Sequence, residues 1–208
     1  MGEKEQIAEF IGIMLGDGNF RIYNTKAGNK IKKQHRIKVT LDSRNKEYIV
    51  HVCNLFKIVL DIEPRLYYHK NENAVDIATY KKNKFYYVLN EIGLRVSPKW
   101  NNMKIPKGYD AGKLGLLVLK GVFDTDGHLS IFNNNGIKYP RIEIRLCPSP
   151  AQKQIDKILD EFDFKYKVQN LERRQTRIRI SGKEQLKKWF DLIGSANPIH
   201  IEKAKFLL

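Results

Sequence analysis

The chain has 208 residues, of which 42% are hydrophobic and 11% aromatic, enough to bury the core of one compact domain or of two small, closely packed ones. Its 38 Lys and Arg residues outnumber its 23 Asp and Glu residues, so the formal net charge is +15. A field of this sign favours a polyanionic partner, of which nucleic acid is the commonest, although a basic enzyme without such a partner would carry the same charge.

Several classes of protein are disfavoured. No run of the sequence approaches the roughly 20 apolar residues that span a bilayer, and the charged N-terminus lacks the apolar segment of a signal peptide. The two cysteines, Cys53 and Cys147, lie far apart, so neither a disulfide framework nor a cysteine-based zinc site is indicated. We therefore expect no membrane partner and an intracellular location, either the cytoplasm or nucleoid of a prokaryote or an organelle.

The first predicted helix ends in the segment Phe10–Gly18 (FIGIMLGDG), an apolar run with a glycine in its middle and an acidic residue before its last glycine. The polar segment Asn24–Lys33 predicts a loop. Arg36, Lys38 and Thr40 then alternate with apolar residues, which predicts a half-buried strand with a basic outer face.

The rest of the first half alternates between helix and strand patterns. Apolar residues recur at helical spacing from Ile49 to Leu60. Two strand-like runs follow, around residues 64–69 and 74–80. A second amphipathic helix comes next and is expected to end at Gly93; its apolar residues are Phe85, Val88, Leu89 and Ile92.

The second half repeats this order. The segment Leu119–Gly127 (LKGVFDTDG) has the layout of the first segment, and a strand with alternating basic residues follows it. Asn133–Gly136 predicts the turn that corresponds to the polar loop of the first half. A helix from about Ser149, two strand-like runs within 165–180 and a final helix that ends at Gly194 complete the unit.

Two copies of helix-strand-strand-helix-strand-strand-helix predict an α+β fold, in which helices cover one face of each of two antiparallel or mixed sheets. We divide the chain into a first half (residues 1–96), a linker (97–113) and a second half (114–208). The uncovered face of each sheet is polar and basic. A solvated face explains any single basic strand equally well, but four such strands in two repeats favour a nucleic-acid surface.

A stripe of small residues runs along the first repeated helix. Ala8, Gly12 and Gly16 fall at i, i+4 and i+8, and Gly121 takes the position of Gly12 in the second copy. Glycine in a helix interior costs about 1 kcal/mol, which an ordinary core helix would not need in both copies. The stripe therefore predicts that the two helices pack closely against each other.

Each repeated helix delivers one acidic residue, Asp17 or Asp126, near its C-terminal end, where the helix dipole disfavours negative charge. Helices that cross at their glycines would bring these carboxylates together, where they repel. A divalent cation would neutralise them, and hard oxygen ligands near phosphates suit Mg²⁺, with Mn²⁺ as a substitute. Metal ions bound between two carboxylates and a phosphodiester are suited to in-line hydrolysis.

At these residues the chain resembles the LAGLIDADG homing endonucleases, specifically the compact single-chain members with two motifs. Phe10–Gly18 and Leu119–Gly127 align without gaps to the nine-residue motif, and the repeat covers essentially the whole chain. The resemblance implies two α-β-β-α-β-β-α halves related by a pseudo-twofold axis, which form a saddle over the DNA major groove as a monomer. It also implies Mg²⁺-dependent cleavage of both strands across the minor groove, with short 3′ overhangs.

The resemblance also assigns roles to individual residues. Asp17 and Asp126 would be the catalytic, metal-binding acids, and the backbone carbonyls of Gly16 and Thr125 would be further metal ligands. Residues of the polar sheet faces would contact double-stranded DNA, with arginine reading guanine, amides reading adenine and most lysines contacting phosphates. These candidates are Arg21, Tyr23, Lys32, Arg36, Lys38, Thr40, Arg65, Tyr67, His69, Asp76, Arg141, Glu143, Arg145, Lys165, Lys167, Gln169, Gln175, Arg177 and Arg179.

The chain departs from the family pattern near the scissile phosphates. Members of the family often carry Lys or Gln near the end of the second strand, where this chain has Leu41 or Asp42 in the first half, and Cys147 or Pro148 in the second. The residues that could substitute are Lys99, His200 and Lys203, although a surface or core-edge position is the more ordinary expectation for each.

Two alternatives share this fold. An intron-splicing maturase would bind intron RNA, and a DNA-binding regulator would bind without catalysis. The presence of both motif acids argues against a regulator, whereas a maturase activity is compatible with an intact nuclease site. An intein nuclease domain is disfavoured because the chain starts with Met and has no terminal Asn followed by a nucleophile.

Overall fold

The computed structural model describes residues 2–28, 30–171 and 175–207 and shows an α+β fold with two antiparallel four-stranded sheets. The first half contains α1 (Glu3–Leu15), β1 (Gly18–Ala27), β2 (Lys30–Asp42), α2 (Lys46–Leu60), β3 (Arg65–Tyr68), β4 (Ala74–Thr79) and α3 (Lys82–Tyr87). The second half contains α4 (Gly112–Asp126), β5 (Gly127–Asn134), β6 (Ile137–Leu146), α5 (Pro150–Glu161), β7 (Tyr166–Leu171), β8 (Gln175–Ser181), α6 (Lys183–Leu192) and α7 (Pro198–Leu207). The strand orders β1-β2-β4-β3 and β5-β6-β8-β7 are the same, which confirms the predicted repeat.

The loop predicted over Asn24–Lys33 is wrong, because β1 and β2 form one long hairpin through it. Asn24 pairs with Lys33, and Ala27 pairs with Lys30 at the tip. The tip extends beyond the core, so its residues need no apolar face, and polarity alone does not reveal the strand. In the second hairpin the turn is at Asn135–Gly136, where both φ angles are positive, as two-residue hairpin turns require.

The helices that close each half differ from the prediction in one respect. A π-helical turn (Val88–Ile92) extends α3, and Gly93 follows in the left-handed region, as predicted. The prediction of α6 as the last helix is wrong, since α7 follows it from Pro198. This helix buries only His200 and Ala204, so no apolar stripe marks it in the sequence.

Helices α1 and α4 cross with their backbones in contact. A Cβ atom on Gly12 would lie 2.9 Å from the Cα of Gly121 and would collide with the Val118 carbonyl. A Cβ on Gly121 would lie 2.7 Å from the Ile13 nitrogen. Ala8 is fully buried on the same side. The predicted glycine contact is therefore confirmed, and the close approach explains why both copies accept a residue that weakens a helix.

Each sheet has one face in the core and one outside it. Val39 and Ile77 on the first sheet, and Ile144 and Ile178 on the second, are buried under the helices. Because side chains alternate along a strand, their neighbours in sequence point to the opposite face. No helix in the part of the chain that the structure describes is long and apolar enough to cross a membrane.

The segment that leaves each half reaches across to the other half. Beyond α3, the Asn101 amide donates to the Pro148 carbonyl over 2.9 Å, and the Ala151 amide donates to the Met103 carbonyl over 3.0 Å. Beyond α6, Asn197 accepts a hydrogen bond of 2.8 Å from the Asn45 side chain. These crossing segments place residues of each exit beside the ends of α1 and α4.

Candidate active site and sheet faces

Helices α1 and α4 end side by side, and each delivers an aspartate there. Asp17 follows Gly16, which closes α1, and Asp126 is the last residue of α4. A Cβ on Gly16 would lie 3.6 Å from the Asp126 carboxyl carbon and would collide with the Thr125 side chain. The structure thus brings together the two acids that the repeated segments point to.

The two carboxyl groups disfavour each other's ionised form. Burial, together with the nearby Asp17 carboxylate, raises the pKa of Asp126 to about 7. Burial also raises the pKa of Asp17, against the opposing effect of the Lys99 ammonium. The Asp17 side chain reaches the surface, although the protein around it still removes part of its water, whereas Asp126 is half-buried. Holding both groups ionised near neutral pH therefore calls for positive charge beside them.

Lys99 supplies the positive charge in this structure. Its ammonium group donates to the carbonyl of Leu15 over 2.9 Å and to that of Gly16. Burial lowers the pKa of Lys99, while the carboxylates of Asp126 and Asp17 raise it. Of the three substitutes considered from the sequence, this is the one whose charge interacts with both acids.

The other two substitutes lie elsewhere. His200 is buried, with its ring centroid 4.3 Å from that of Phe123 and its Nδ1 atom 3.8 Å from the Asp124 carboxylate. Lys203 is exposed on α7 and lines an apolar cleft with Phe206. His200 therefore belongs to the core of the second half, and neither residue faces both aspartates.

The end of α4 is supported differently from the end of α1. The carbonyl of Asp124, equivalent to that of Leu15, accepts a hydrogen bond of 3.0 Å from the Asn197 side chain. The Asp124 carboxylate accepts bonds from the Ser195 hydroxyl and, over 2.8 Å, from the Ala196 amide. The amide of Asn197 therefore binds at the end of α4 as Lys99 does at the end of α1, and the buried Asp124 carboxylate is hydrogen-bonded beside it.

Two carboxylates without further acidic or imidazole ligands fit a hard divalent cation. Within the described residues, no three His, Cys, Asp or Glu side chains cluster as a metal site. Mg²⁺ is commonly held by one or two carboxylates, with water and phosphate oxygens as its other ligands. The Gly16 carbonyl, a predicted ligand, is occupied by Lys99. The Thr125 hydroxyl donates to carbonyls within α4, which leaves the Thr125 carbonyl as its predicted ligand atom.

A cleft of about 470 Å³ opens beside Asp126 and is large enough for a phosphodiester group. Its polar lining includes Lys99, Arg145 and Gln175. Cys147 also lines it, and burial raises the pKa of this thiol. The other positions where the family often has Lys or Gln do not reach the acids: Leu41 is in the core, Asp42 binds Arg44, and the Pro148 carbonyl binds Asn101.

The outer face of the first sheet carries the predicted DNA-contacting residues of that half. Asp76 is its centre, since it accepts hydrogen bonds from Lys38 over 2.8 and 2.9 Å and from Thr40 over 2.8 Å. His69 lies 3.3 Å from the same carboxylate. The strand register places the remaining candidates of this half on the same outer face; they are Arg21, Tyr23, Lys32, Arg36, Arg65 and Tyr67.

The outer face of the second sheet is organised around Glu143. One of its oxygens lies 3.0 Å from Arg179, 3.6 Å from Arg177 and 3.8 Å from Arg141. Lys167 and Gln169 pair with neighbours on β8 on this face. Lys165 precedes β7 and lies outside the strand, with its backbone amide bound to Gln185.

Sequence reasoning missed Asn19, His128 and Trp100. Asn19 and His128 directly follow the last glycine of their motifs and pair on the outer faces with Lys38 and Glu143. Because both residues occupy the same position of the repeat, directly after the motif, the sequence could have identified them as candidates. Trp100 lines the cleft beside Lys99 and is 44% exposed; only the structure reveals it.

A model of the LAGLIDADG DNA endonuclease family matches residues 8–188, which is most of the chain. The chain belongs to this family. A sequence comparison with curated proteins finds no match. The membership agrees with the two motif helices, the paired aspartates and the repeated sheets.

Solved structures of LAGLIDADG proteins share the fold. The homing endonuclease I-LtrWI bound to target DNA is 11% identical, with a TM-score of 0.69 over 99% of this chain and 90% of that one. I-DmoI in complex with DNA and Mn is 16% identical, with a TM-score of 0.65 over 93% of this chain and 98% of that one. I-DmoI in complex with DNA and Ca is 17% identical, with a TM-score of 0.64 over 100% and 99%. At these identities the likeness establishes the fold alone.

Proposed function

We propose that this chain is a homing endonuclease, an enzyme that cuts both strands of a long, near-asymmetric DNA target. The observation that carries the proposal is the meeting of Asp17 and Asp126 beside Lys99, between two sheets whose outer faces carry the basic residues. A protein that only bound DNA would have no need to hold two mutually repelling carboxylates at adjacent helix ends.

Double-stranded DNA is the proposed partner because the basic residues lie on two sheets of the same topology. Each sheet would follow the major groove of one half-site, and the net charge of +15 favours association with a polyanion. The similar structures of I-LtrWI and I-DmoI are complexes with DNA. Because one chain supplies both acids, we expect it to act as a monomer, inside the cell where its DNA target lies.

Asp17 and Asp126 would hold the divalent cation, Mg²⁺ or Mn²⁺ in its place, with the carbonyls of Gly16 and Thr125 as further ligands. When bound by these residues, such a cation would supply Lewis-acid chemistry for phosphodiester hydrolysis. The Lys99 ammonium, which now binds the Gly16 carbonyl, would turn to a phosphate oxygen and stabilise the charge that develops on it.

The closeness of the two acids favours cleavage across the minor groove. Scissile phosphates on opposite strands are nearest to each other there, since this groove is only about 6 Å wide. Two acids at adjacent helix ends suit the narrower groove, since the major groove is about twice as wide. Cleavage across the minor groove would leave short 3′ overhangs.

The test begins with a plasmid library that carries randomised or candidate insertion sites, incubated with the protein and Mg²⁺. We expect double-strand cleavage of a subset of sites, loss of cleavage in EDTA, and loss of cleavage or conversion to nicking with Asp17→Asn or Asp126→Asn. Asp191→Asn, on the exposed side of α6, is the matched control and should cut normally.

Full double-strand cleavage by both motif variants would contradict the catalytic assignment. Tighter binding to intron RNA than to any duplex would favour the splicing maturase. Selective duplex binding without cleavage, in Mg²⁺ or Mn²⁺, would favour the regulator.

A further inference from the structure

The register of the two sheets identifies equivalent residues on their outer faces. Gly18 pairs with Val39 in the first sheet, and Gly127 pairs with Ile144 in the second. Lys38 and Glu143 each precede these strand partners by one residue, so they occupy equivalent positions.

One strand further, Thr40 pairs with Asp76 and Arg145 pairs with Arg177, which makes Asp76 and Arg177 equivalent as well.

The equivalent residues form the same diagonal ion pair with opposite signs. In the first sheet the cation of Lys38 is on β2 and the anion of Asp76 is on β4, 2.8 Å apart. In the second sheet the anion of Glu143 is on β6 and the cation of Arg177 is on β8, 3.6 Å apart. All four side chains are between 11% and 20% exposed, so each pair is mostly covered but still reaches the surface.

The neighbours of each pair strengthen the contrast. Thr40 beside Asp76 is replaced by Arg145 beside Arg177, and Ala78 of the first sheet is replaced by Arg179 of the second. At these positions the outer face of the first sheet thus presents a carboxylate acceptor, whereas the outer face of the second sheet presents arginine donors. A carboxylate accepts from the amino group of cytosine, and arginine donates to the two acceptors of guanine.

We propose that Asp76 and Arg177 read base pairs at equivalent positions of the two half-sites, Asp76 by accepting from cytosine and Arg177 by donating to guanine. The target is then non-palindromic at these two positions. Residues related by a two-fold axis face base pairs related by the same axis. When Arg177 binds guanine on one strand and Asp76 binds cytosine on the other, the first strand carries guanine at both places. A palindrome would carry guanine at one place and cytosine at the other.

This inference rests on the proposed function, because it requires a duplex that lies across both sheets. The ion pairs alone do not need a ligand, since exposed ion pairs also occur on solvated surfaces. Two features point to readout of bases. Both halves keep an ion pair at the same two positions, and the acidic and basic residues of that pair have exchanged places between the halves.

The test selects binding sites from a pool of randomised DNA duplexes in Ca²⁺. The variant carries Lys38→Glu together with Asp76→Arg, which copies the polarity of the second sheet without changing the net charge. The matched control carries Lys57→Glu together with Glu63→Lys, which swaps an exposed pair 2.8 Å apart off the outer faces. A reciprocal variant, Glu143→Lys with Arg177→Asp, tests the second sheet independently and guards against misfolding of the first variant.

Wild-type protein and control should select guanine on the same strand at both positions. The first variant should prefer the palindromic arrangement on the order of tenfold, the effect of one arginine–guanine pair, and the reciprocal variant should lose guanine in the second half-site. Unchanged selection by both variants, or a palindromic choice by the wild type, would overturn the inference while the proposed function stands. Failure of every protein to enrich any duplex would overturn both.

Discussion

The C-terminal ends of α1 and α4 show how one repeat can be used in two ways. Each end presents an aspartate, but Lys99 binds the last carbonyls of α1, while Asn197 binds the equivalent carbonyl of α4. Behind α4 the Asp124 carboxylate is buried and hydrogen-bonded, whereas Leu15 at the equivalent place of α1 is apolar. One end is bound by a charged side chain and the other by an amide, so among the described residues a single lysine, Lys99, binds at the end of one helix while its charge acts on both acids of the candidate active site.

The largest expected effect is on Lys99. Lys99→Met should lower the cleavage rate of both strands by about 10²- to 10³-fold, the usual cost of removing one preorganised electrostatic donor. Lys104→Met, at an exposed position of the same linker, is the control. The measurement is single-turnover cleavage with each strand labelled separately, and slowing of only one strand would show that Lys99 serves only one site.

The next effect concerns the contact that brings the two ends together. In Gly121→Ala the added methyl group would collide with the Glu9 carbonyl and lie close to the Ile13 nitrogen. Since backbone cannot yield as a side chain does, we expect a loss of about 3 kcal/mol or more in the free energy of unfolding. Urea unfolding measures it, with Gly2→Ala, which meets nothing within 4 Å, as the control. Near-normal stability of the variant would mean that the helices can separate.

A smaller effect is expected for the support behind α4. Ser195→Ala removes a hydrogen bond to the Asp124 carboxylate, and Asn197→Ala removes one to its carbonyl. Each should lower the free energy of unfolding by about 1–3 kcal/mol, because buried polar groups are left without partners. The cleavage rate well below the melting temperature should stay within a few-fold of the wild type. A rate loss as large as that of Lys99→Met would show that both ends serve catalysis.

The smallest effect concerns stability and pH in EDTA. The pKa of Asp126 is about 7 in the folded chain, above the usual value near 4, so ionisation opposes folding. The contribution of Asp126 to wild-type stability should therefore fall as pH rises from about 4 to 7. Asp126→Asn should be more stable than the wild type at pH 8, by roughly 1–2 kcal/mol after allowance for solvent screening, and no more stable near pH 4. Thermal melts across this range test the sign, which an equal gap at both pH values would contradict.

The sequence contains enough to predict the repeated elements and the meeting of the two acids. The motif segments, the glycine at the same place in both and the alternating strands are local patterns, and the fold follows them. Lys99 could be named only as one candidate of three, because its partners lie more than 80 residues away and its segment has no periodic pattern. The hairpin through Asn24–Lys33 and helix α7 were missed because neither has an apolar stripe.

The ion pairs of the outer faces show a second limit. Lys38 and Glu143 are visible in the sequence as unrelated charges on alternating strands. Their equivalence depends on the register between strands, and the register depends on which residues the helices bury. The sign reversal between Asp76 and Arg177 thus appears only when the two sheets are compared residue by residue.

The crossing of the exit segments has a consequence for building new proteins from this one. Met103 is hydrogen-bonded to the start of α5, and Asn45 is hydrogen-bonded to the segment before α7. The two halves therefore cannot be separated at one position of the chain without breaking contacts between them. A chimaera that exchanges one half for that of a relative should keep residues 97–105 matched to the α5 that receives them. The stretch just before α4 belongs to the same match, because Asp110 accepts a hydrogen bond of 3.2 Å from Gln154 of α5 and the Gly112 amide donates to Glu161 of α5 over 3.1 Å.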